Sequence, residues 1–320
     1  MIEKIKKNIF ISLAIAALLY LSFTFYADYR HVIRAFMNFN WMWTLPLLLL
    51  SFMNYVTRFF KWDYYLRILK IKLSRIDSFA IFMSGLVMSV TPGKMGELLK
   101  AYLVKQVTKE PVSKTAPIIL VERITDFISL VLLAVIGAYV FNYGRVIVAG
   151  TGIFFITLTI IISSKKISLA VINKLSRIKS LNKHIVSIRT AYESSYILLR
   201  PLPLFYMILV SLVSWFFECL GYYIILANFG ISFNLLWATF VYTFSTIAGA
   251  ITMLPGGLGV TDGSLTFFLL RKNVPKDLAV SSTFIIRVVT LWFAVLVGAV
   301  SLSLYQKRYG KITVEEGAVK

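Results

Sequence analysis

Long apolar runs separated by short clusters of charge set the pattern of this chain. Six stretches, at about 9–26, 41–60, 115–141, 146–163, 203–227 and 278–305, are predominantly apolar. A helix rises about 1.5 Å per residue and a bilayer's hydrocarbon core is about 30 Å thick, so each run is long enough to cross as a helix. Both faces of the runs at 9–26 and 205–217 are apolar, which suits lipid rather than an amphipathic helix at a water boundary. Two further stretches, 79–104 and 235–270, are interrupted by Pro-Gly. The first offers only about 13 apolar residues before Thr91-Pro92-Gly93, too few to cross alone. The run at 9–26 follows the basic start Met1-Ile-Glu-Lys-Ile-Lys-Lys, exceeds a signal-peptide core and is not followed by a small-x-small cleavage site. It predicts an uncleaved first spanning helix.

The placement of Lys and Arg chooses between topologies, because cytoplasmic loops carry the excess. With the N-terminus inside and both broken stretches entering and leaving on one side, the segments 1–8, 58–77, 94–114, 165–200 and 307–320 are cytoplasmic. They hold 26 of the 34 basic residues. Arg30, Arg34, Arg145, Arg271, Lys272 and Lys276 fall outside, and Arg123 and Arg287 lie within the membrane. If the first broken stretch crossed instead, the basic segment 165–200 would be outside. The pattern therefore predicts an all-α polytopic membrane protein of about six spanning helices plus two re-entrant hairpins. It forms one membrane domain over 1–320, with both termini cytoplasmic and the cell membrane as its location. The segment 165–200 repeats apolar residues every three or four positions, from Ile167 to Tyr192, with basic residues between them. It predicts an amphipathic connector at an anionic interface.

Composition agrees. Of 320 residues, 58% are hydrophobic and 15% charged, against about 25% charged in soluble domains, and mean hydropathy is +0.80. The net charge of +20 would suggest nucleic acid in a soluble protein. Here the basic residues sit in loops between apolar runs, so no nucleic-acid partner is expected. Cys219 is the only cysteine, which excludes a disulfide framework, and with two histidines, His31 and His184, no histidine-based metal site and no cofactor are expected.

The broken stretches resemble each other. One reads Thr91-Pro92-Gly93-Lys94-Met95-Gly96-Glu97 and the other Leu254-Pro255-Gly256-Gly257-Leu258-Gly259-Val260-Thr261-Asp262. Both hold Pro-Gly-x-x-Gly followed by an acid, with Arg123 placed 31 residues after Pro92 and Arg287 placed 32 after Pro255. Repeat 1 then covers about 41–141 and repeat 2 about 203–305. In the topology above the hairpins enter from opposite faces, as in transporters that bind substrate between inverted repeats near the midplane. Proline and glycine leave unpaired N–H groups at the start of each following half-helix, which attract anions. Glu97 and Asp262 serve equally as dipole partners there.

The densest chemistry is Val121-Glu122-Arg123-Ile124-Thr125-Asp126. Ionisable groups within a spanning helix are costly and face the protein interior or a watery cavity. Two readings stand. Arg123 pairs with Glu97, and Arg287 with Asp262 or Glu218, bracing the hairpins. Or the arginines hold a phosphate bidentately while the carboxylates balance it. The candidate substrate-binding set is Pro92, Gly93, Gly96, Glu97, Glu122, Arg123, Asp126, Pro255, Gly256, Gly259, Asp262 and Arg287. Arg58, Lys61, Trp62, Trp41, Trp43 and Tyr64 read as snorkelling and interface-belt residues, while Asn54 and Tyr55 lie deep enough to face a cavity.

Pro92–Leu103, Glu122–Asp126 and Leu254–Gly263, in that order, resemble the flippase-like family, also called UPF0104 and related to the membrane region of lysylphosphatidylglycerol synthase. The resemblance covers most of the chain. It implies lipid translocation: the synthase's membrane region moves an aminoacylated lipid between leaflets, and archaeal relatives are linked to polyprenyl-phosphate sugar pathways. The synthase's soluble aminoacyl-transferase domain is absent from these residues, and Asp262 stands where a glutamate is expected. The expected partners are anionic or phosphate-bearing membrane lipids and a glycosyltransferase or lipid synthase. Two other readings remain. One is a membrane enzyme or subunit using Glu122, Asp126 and Asp262 as acid–base groups. The other is a small-solute or ion exchanger.

Overall fold

A computed structural model describes residues 29–91, 96–166 and 184–310, with positions 168, 170 and 172. The expected first spanning helix, Pro92, Gly93 and most of the basic connector lie outside the described residues.

The described chain is helical. In order it forms α1 (Tyr29–Asn38), α2 (Thr44–Ile68), α3 (Arg75–Gly85), α4 (Leu99–Thr108), α5 (Val112–Val140) and α6 (Arg145–Ser163). Then come α7 (Ile185–Leu198), α8 (Pro201–Asn228), α9 (Leu235–Ile251), α10 (Val260–Leu270), α11 (Lys276–Arg287) and α12 (Phe293–Tyr309). A single π-helical turn, Val288–Trp292, joins the last two into one rod. Among the described residues, Arg145–Ser163, Pro201–Asn228 and Lys276–Tyr309 are long and apolar enough to span a membrane. Helices α2 and α5, at 25 and 29 residues, have the length as well but carry buried charges. Large apolar side chains stand exposed around the bundle, among them Leu45, Phe60, Ile136, Phe205 and Leu296. A surface of that kind needs lipid rather than water against it.

The two broken stretches are hairpins that enter the bundle from opposite ends. Helix α3 starts on an N-cap, Ser74, whose hydroxyl accepts the Asp77 N–H, and α9 starts the same way on Asn234, which accepts from Trp237. At the base of the first hairpin Asp77 meets Arg308 of α12 at 3.5 Å, and Gln106 of α4 donates to the Tyr309 carbonyl. Ser84 of α3 reaches Ser301 higher up the same pair of helices. The second hairpin begins at the other end, beside the loop where Asn228 at the end of α8 exchanges hydrogen bonds with Asn40 ahead of α2. Its arms α9 and α10 lie side by side, joined through Phe240, Phe244 and Phe268. The packing is reciprocal: α3 lies on α12, α9 lies on α5, and the leading helices α2 and α8 pack against each other. The hairpin tips meet in mid-bundle, where Val90, Leu258 and Leu291 form a small core of their own.

Glycine makes two of these contacts possible. A Cβ on Gly298 of α12 would collide with the Val87 backbone, and one on Gly137 of α5 would collide with Phe240. In the described part of the connector, helix α7 packs along α5 and buries Ser194, Ser195 and Leu198, while Val186 is exposed.

Candidate functional site

A cavity of about 710 Å³ opens in mid-bundle where the hairpin tips approach α2, α5, α6 and α8. Its polar wall carries Arg58, Arg123, Asp126, Glu218, Arg287, Tyr55 and Tyr242. The opposite side is apolar and reaches the bundle surface through Val146 and Phe154 of α6 and Ile251, Met253 and Leu254 at the second tip. These side chains are exposed, Val146 to 86% and Met253 to 69%. The cavity thus joins a charged floor to a greasy mouth facing the outside of the bundle.

Arg123 stands on α5 one turn from Asp126, as the sequence spacing requires. Its guanidinium pairs with Glu97 of the first hairpin and lies 4.0 Å from Asp126. Gly96 gives that hairpin its close turn: its N–H donates to the Thr91 hydroxyl, and a Cβ there would press on Met88 and Thr91. The second hairpin repeats the plan. Gly256, Gly257 and Gly259 all have positive φ, at 60°, 67° and 83°, a region other residues enter only with strain. Asp262 accepts the Gly259 N–H at 2.8 Å, capping α10, and pairs with Arg287 Nε at 3.0 Å. Arg287 also donates to the Gly256 carbonyl. Each repeat therefore ties its own arginine to its own hairpin, Arg123 to Glu97 and Arg287 to Asp262. The π turn that follows Arg287 disturbs the regular backbone bonding, and the Tyr55 hydroxyl donates to its Thr290 carbonyl at 2.7 Å.

The candidate residues are not all gathered. Arg123, Asp126, Gly256 and Arg287 line the cavity. Glu97 and Asp262 stand behind the arginines they hold, and Gly259 faces a separate apolar groove with Tyr143, Val260 and Phe267. Glu122 points away from the cavity. It is 1% exposed and accepts from Lys100 at 2.7 Å, and the Lys100 ammonium lies over the rings of Trp62 and Phe82.

Three residues near the end of the second apolar run do not lie where their sequence position suggests. Lys61 and Trp62 are fully buried and Arg58 lines the cavity, so none of the three is an interface anchor. Lys61 donates to Asp126 Oδ1 at 2.6 Å and to Ser211 at 2.7 Å, and Arg58 meets Asp126 Oδ2 at 3.2 Å. Lys100, assigned to a cytoplasmic loop, is buried as well. Sequence held the signal: Asn54, Arg58, Lys61 and Tyr65 recur at helical spacing, so they share one face of α2. That face turns inward. Asn54, also buried, donates to the Ser214 carbonyl of α8, and Tyr55 lines the cavity.

A UPF0104 membrane protein of Methanocaldococcus jannaschii is 27% identical over 68% of this chain and 94% of its own length. Relatives of the same description occur in Methanothermobacter thermautotrophicus, 23% identical over 82% and 86% of the two chains, and in Pyrococcus horikoshii, 24% identical over 92% and 96%. Residues 9–298 match the family described as the lysylphosphatidylglycerol synthase TM region, and the chain belongs to that family.

Proposed function

We propose that this protein is a translocase that moves the phosphate-bearing headgroup of a lipid between leaflets while the apolar chains stay in the bilayer. The observation carrying the reading is the mixed character of the mid-bundle cavity, with guanidinium groups on its floor and exposed apolar side chains at its mouth. A headgroup needs a polar path with fixed donors, and the chains need an apolar exit at the same depth. Guanidinium groups suit a phosphate because they stay charged and bond it bidentately. In this reading Arg123 of α5 and Arg287 of α11 hold the phosphate beside the two hairpin tips, and Glu97 and Asp262 hold the arginines when the cavity is empty.

The cavity also separates this reading from acid–base catalysis. Of the three carboxylates such an enzyme would use, only Asp126 lines the cavity, while Glu122 is held by Lys100 and Asp262 caps α10. Proteoliposomes carrying a phospholipid with a fluorescent headgroup test the proposal. Arg123→Ala and Arg287→Ala are each expected to slow headgroup movement about tenfold or more, the scale of a lost charge-assisted hydrogen bond. Movement at the unaltered rate in both variants would overturn it.

A further inference from the structure

We infer that Arg58 and Arg123 together form a two-guanidinium clamp for a phosphate-type oxyanion, with Asp126 as the internal anion that occupies the clamp when it is empty. The inference rests on the translocase reading for the source of the anion and goes beyond it in naming Arg58 and the role of Asp126.

Asp126 is oversubscribed. Its Oδ1 accepts from Lys61 at 2.6 Å and from the Ser211 hydroxyl at 3.1 Å. Its Oδ2 is 3.2 Å from Arg58 Nη2 and 4.0 Å from Arg123 Nη1. One carboxylate therefore serves three cations, and the two guanidinium groups are neighbours because they approach the same oxygen. Neither is saturated. The Nε atoms of Arg58 and of Arg123 are both buried and have no acceptor among the described residues. A buried N–H without an acceptor is costly, and Nε belongs to the edge through which a guanidinium binds an oxyanion bidentately. Filling both edges at once takes an anion with more than two oxygens, which points to a phosphate and away from a carboxylate.

The Arg58 guanidinium lies 5.9 Å from the centre of the Trp215 ring, at the cavity wall. Lys61, fully buried beneath it, keeps its hold on Asp126 when Arg58 turns toward a ligand, so Asp126 is never left as an isolated buried charge. The exchange is an ion-pair swap: Arg58 and Arg123 leave Oδ2 for the ligand's oxygens, and Lys61 and Ser211 remain on Oδ1.

Binding of three probes to the full chain in detergent, measured calorimetrically, tests this. The probes are inorganic phosphate, dihexanoyl phosphatidylglycerol and the uncharged dihexanoyl glycerol. The protein is expected to bind the phosphatidyl probe more tightly than phosphate, and the uncharged probe least. Arg58→Gln is expected to weaken the phosphatidyl probe about tenfold or more, as loss of a charge-assisted bond implies. Arg58→Lys is expected to recover only part of that, since it restores charge without the fork. Arg200→Gln, at an exposed position outside the cavity, is expected to change nothing. Unaltered affinity in Arg58→Gln overturns the clamp and leaves the translocase reading standing. No binding of any probe by the unmodified protein removes both. Phosphate binding as tight as the lipid's keeps the clamp and removes the lipid from it. Should Arg58→Gln fail to fold, the unmodified protein decides: the phosphatidyl probe is expected to protect Arg58 and Arg123 from phenylglyoxal, and modification of Arg58 at the same rate with and without probe overturns the clamp.

Discussion

At the scale of the residue, the buried charges divide into those that can exchange partners and those that cannot. Arg58, Arg123 and Asp126 border the cavity, where a ligand can replace a bond that is lost. Lys100 and Glu122 are buried away from the cavity: Lys100 lies over Trp62 and Phe82 and 3.7 Å from Glu97, and Glu122 is 1% exposed. A buried pair loses far more when one member is removed than when both are neutralised together. Lys100→Met alone, leaving Glu122 without its closest partner, is therefore expected to destabilise the protein by about 3–5 kcal/mol. The double variant Lys100→Met/Glu122→Gln is expected to recover most of that loss. Thermal melting in detergent is the measurement, and a double variant no more stable than the single one would contradict a simple pair. The sequence spacing named Glu97 as the partner of Arg123, but not the partners of Lys61 and Lys100. The Glu122-Arg123-x-x-Asp126 cluster announced an interior site, while Lys61-Trp62 at the end of an apolar run looked like an interface anchor. What separates the two cases is the depth of α2, which continues to Ile68 and carries Lys61 well inside its length. A chain's own hydropathy does not record where neighbouring helices end.

At the scale of the element, the spans and the broken segments were legible because periodicity and Pro-Gly punctuation are local. The ends of α5, α6 and α8 fall within a few residues of the apolar runs that announced them. The pairing of the hairpins with helices of the opposite repeat was not legible, since it depends on contacts between distant residues. Two glycines mark it afterwards. Gly298 admits the Val87 backbone and Gly137 admits the base of the Phe240 side chain, and in neither case can the neighbour move as a flexible tip would. Close approach through small residues is the usual means by which membrane helices pack, lacking a hydrophobic drive between them. Gly298→Ala is expected to cost about 1–3 kcal/mol, the range for overpacking. Gly263→Ala, in α10 where an added Cβ meets no atom within 4 Å, is expected to be neutral or to stabilise by about 0.5–1 kcal/mol. Melting temperatures of the two variants settle the comparison, and equal losses would mean that Gly298 is not a contact-limited position.

At the scale of the whole molecule, two hairpins that enter from opposite ends meet at their tips beside the cavity, with Arg123 and Arg287 on the helices next to them. In the proposed translocase a shift of one hairpin against the other is expected to open the cavity to either side, with the arginines holding the headgroup and the apolar mouth left to the chains. The charge distribution carries an expectation for how this body is oriented. Arg30, Arg34, Arg145, Arg271, Lys272 and Lys276 lie at the end where the second hairpin enters, whereas Arg67, Lys70, Lys72, Arg75, Lys105, Lys109, Lys114, Lys307 and Arg308 crowd the other. Removing Arg58, Lys61 and Lys100 from the loops leaves the asymmetry intact, so the first hairpin is expected to enter from the cytoplasm and the second from outside. Because Cys219 is the only cysteine and is buried, single-cysteine variants on a Cys219→Ala background report the two ends cleanly. Lys109→Cys, at the base of the first hairpin, is expected to react with a membrane-impermeant maleimide only in inside-out vesicles. Lys272→Cys, at the base of the second, is expected to react only in right-side-out ones. Labelling of both from one side would mean that the hairpins share a face of the membrane, and an alternating path between them would then have no structural basis.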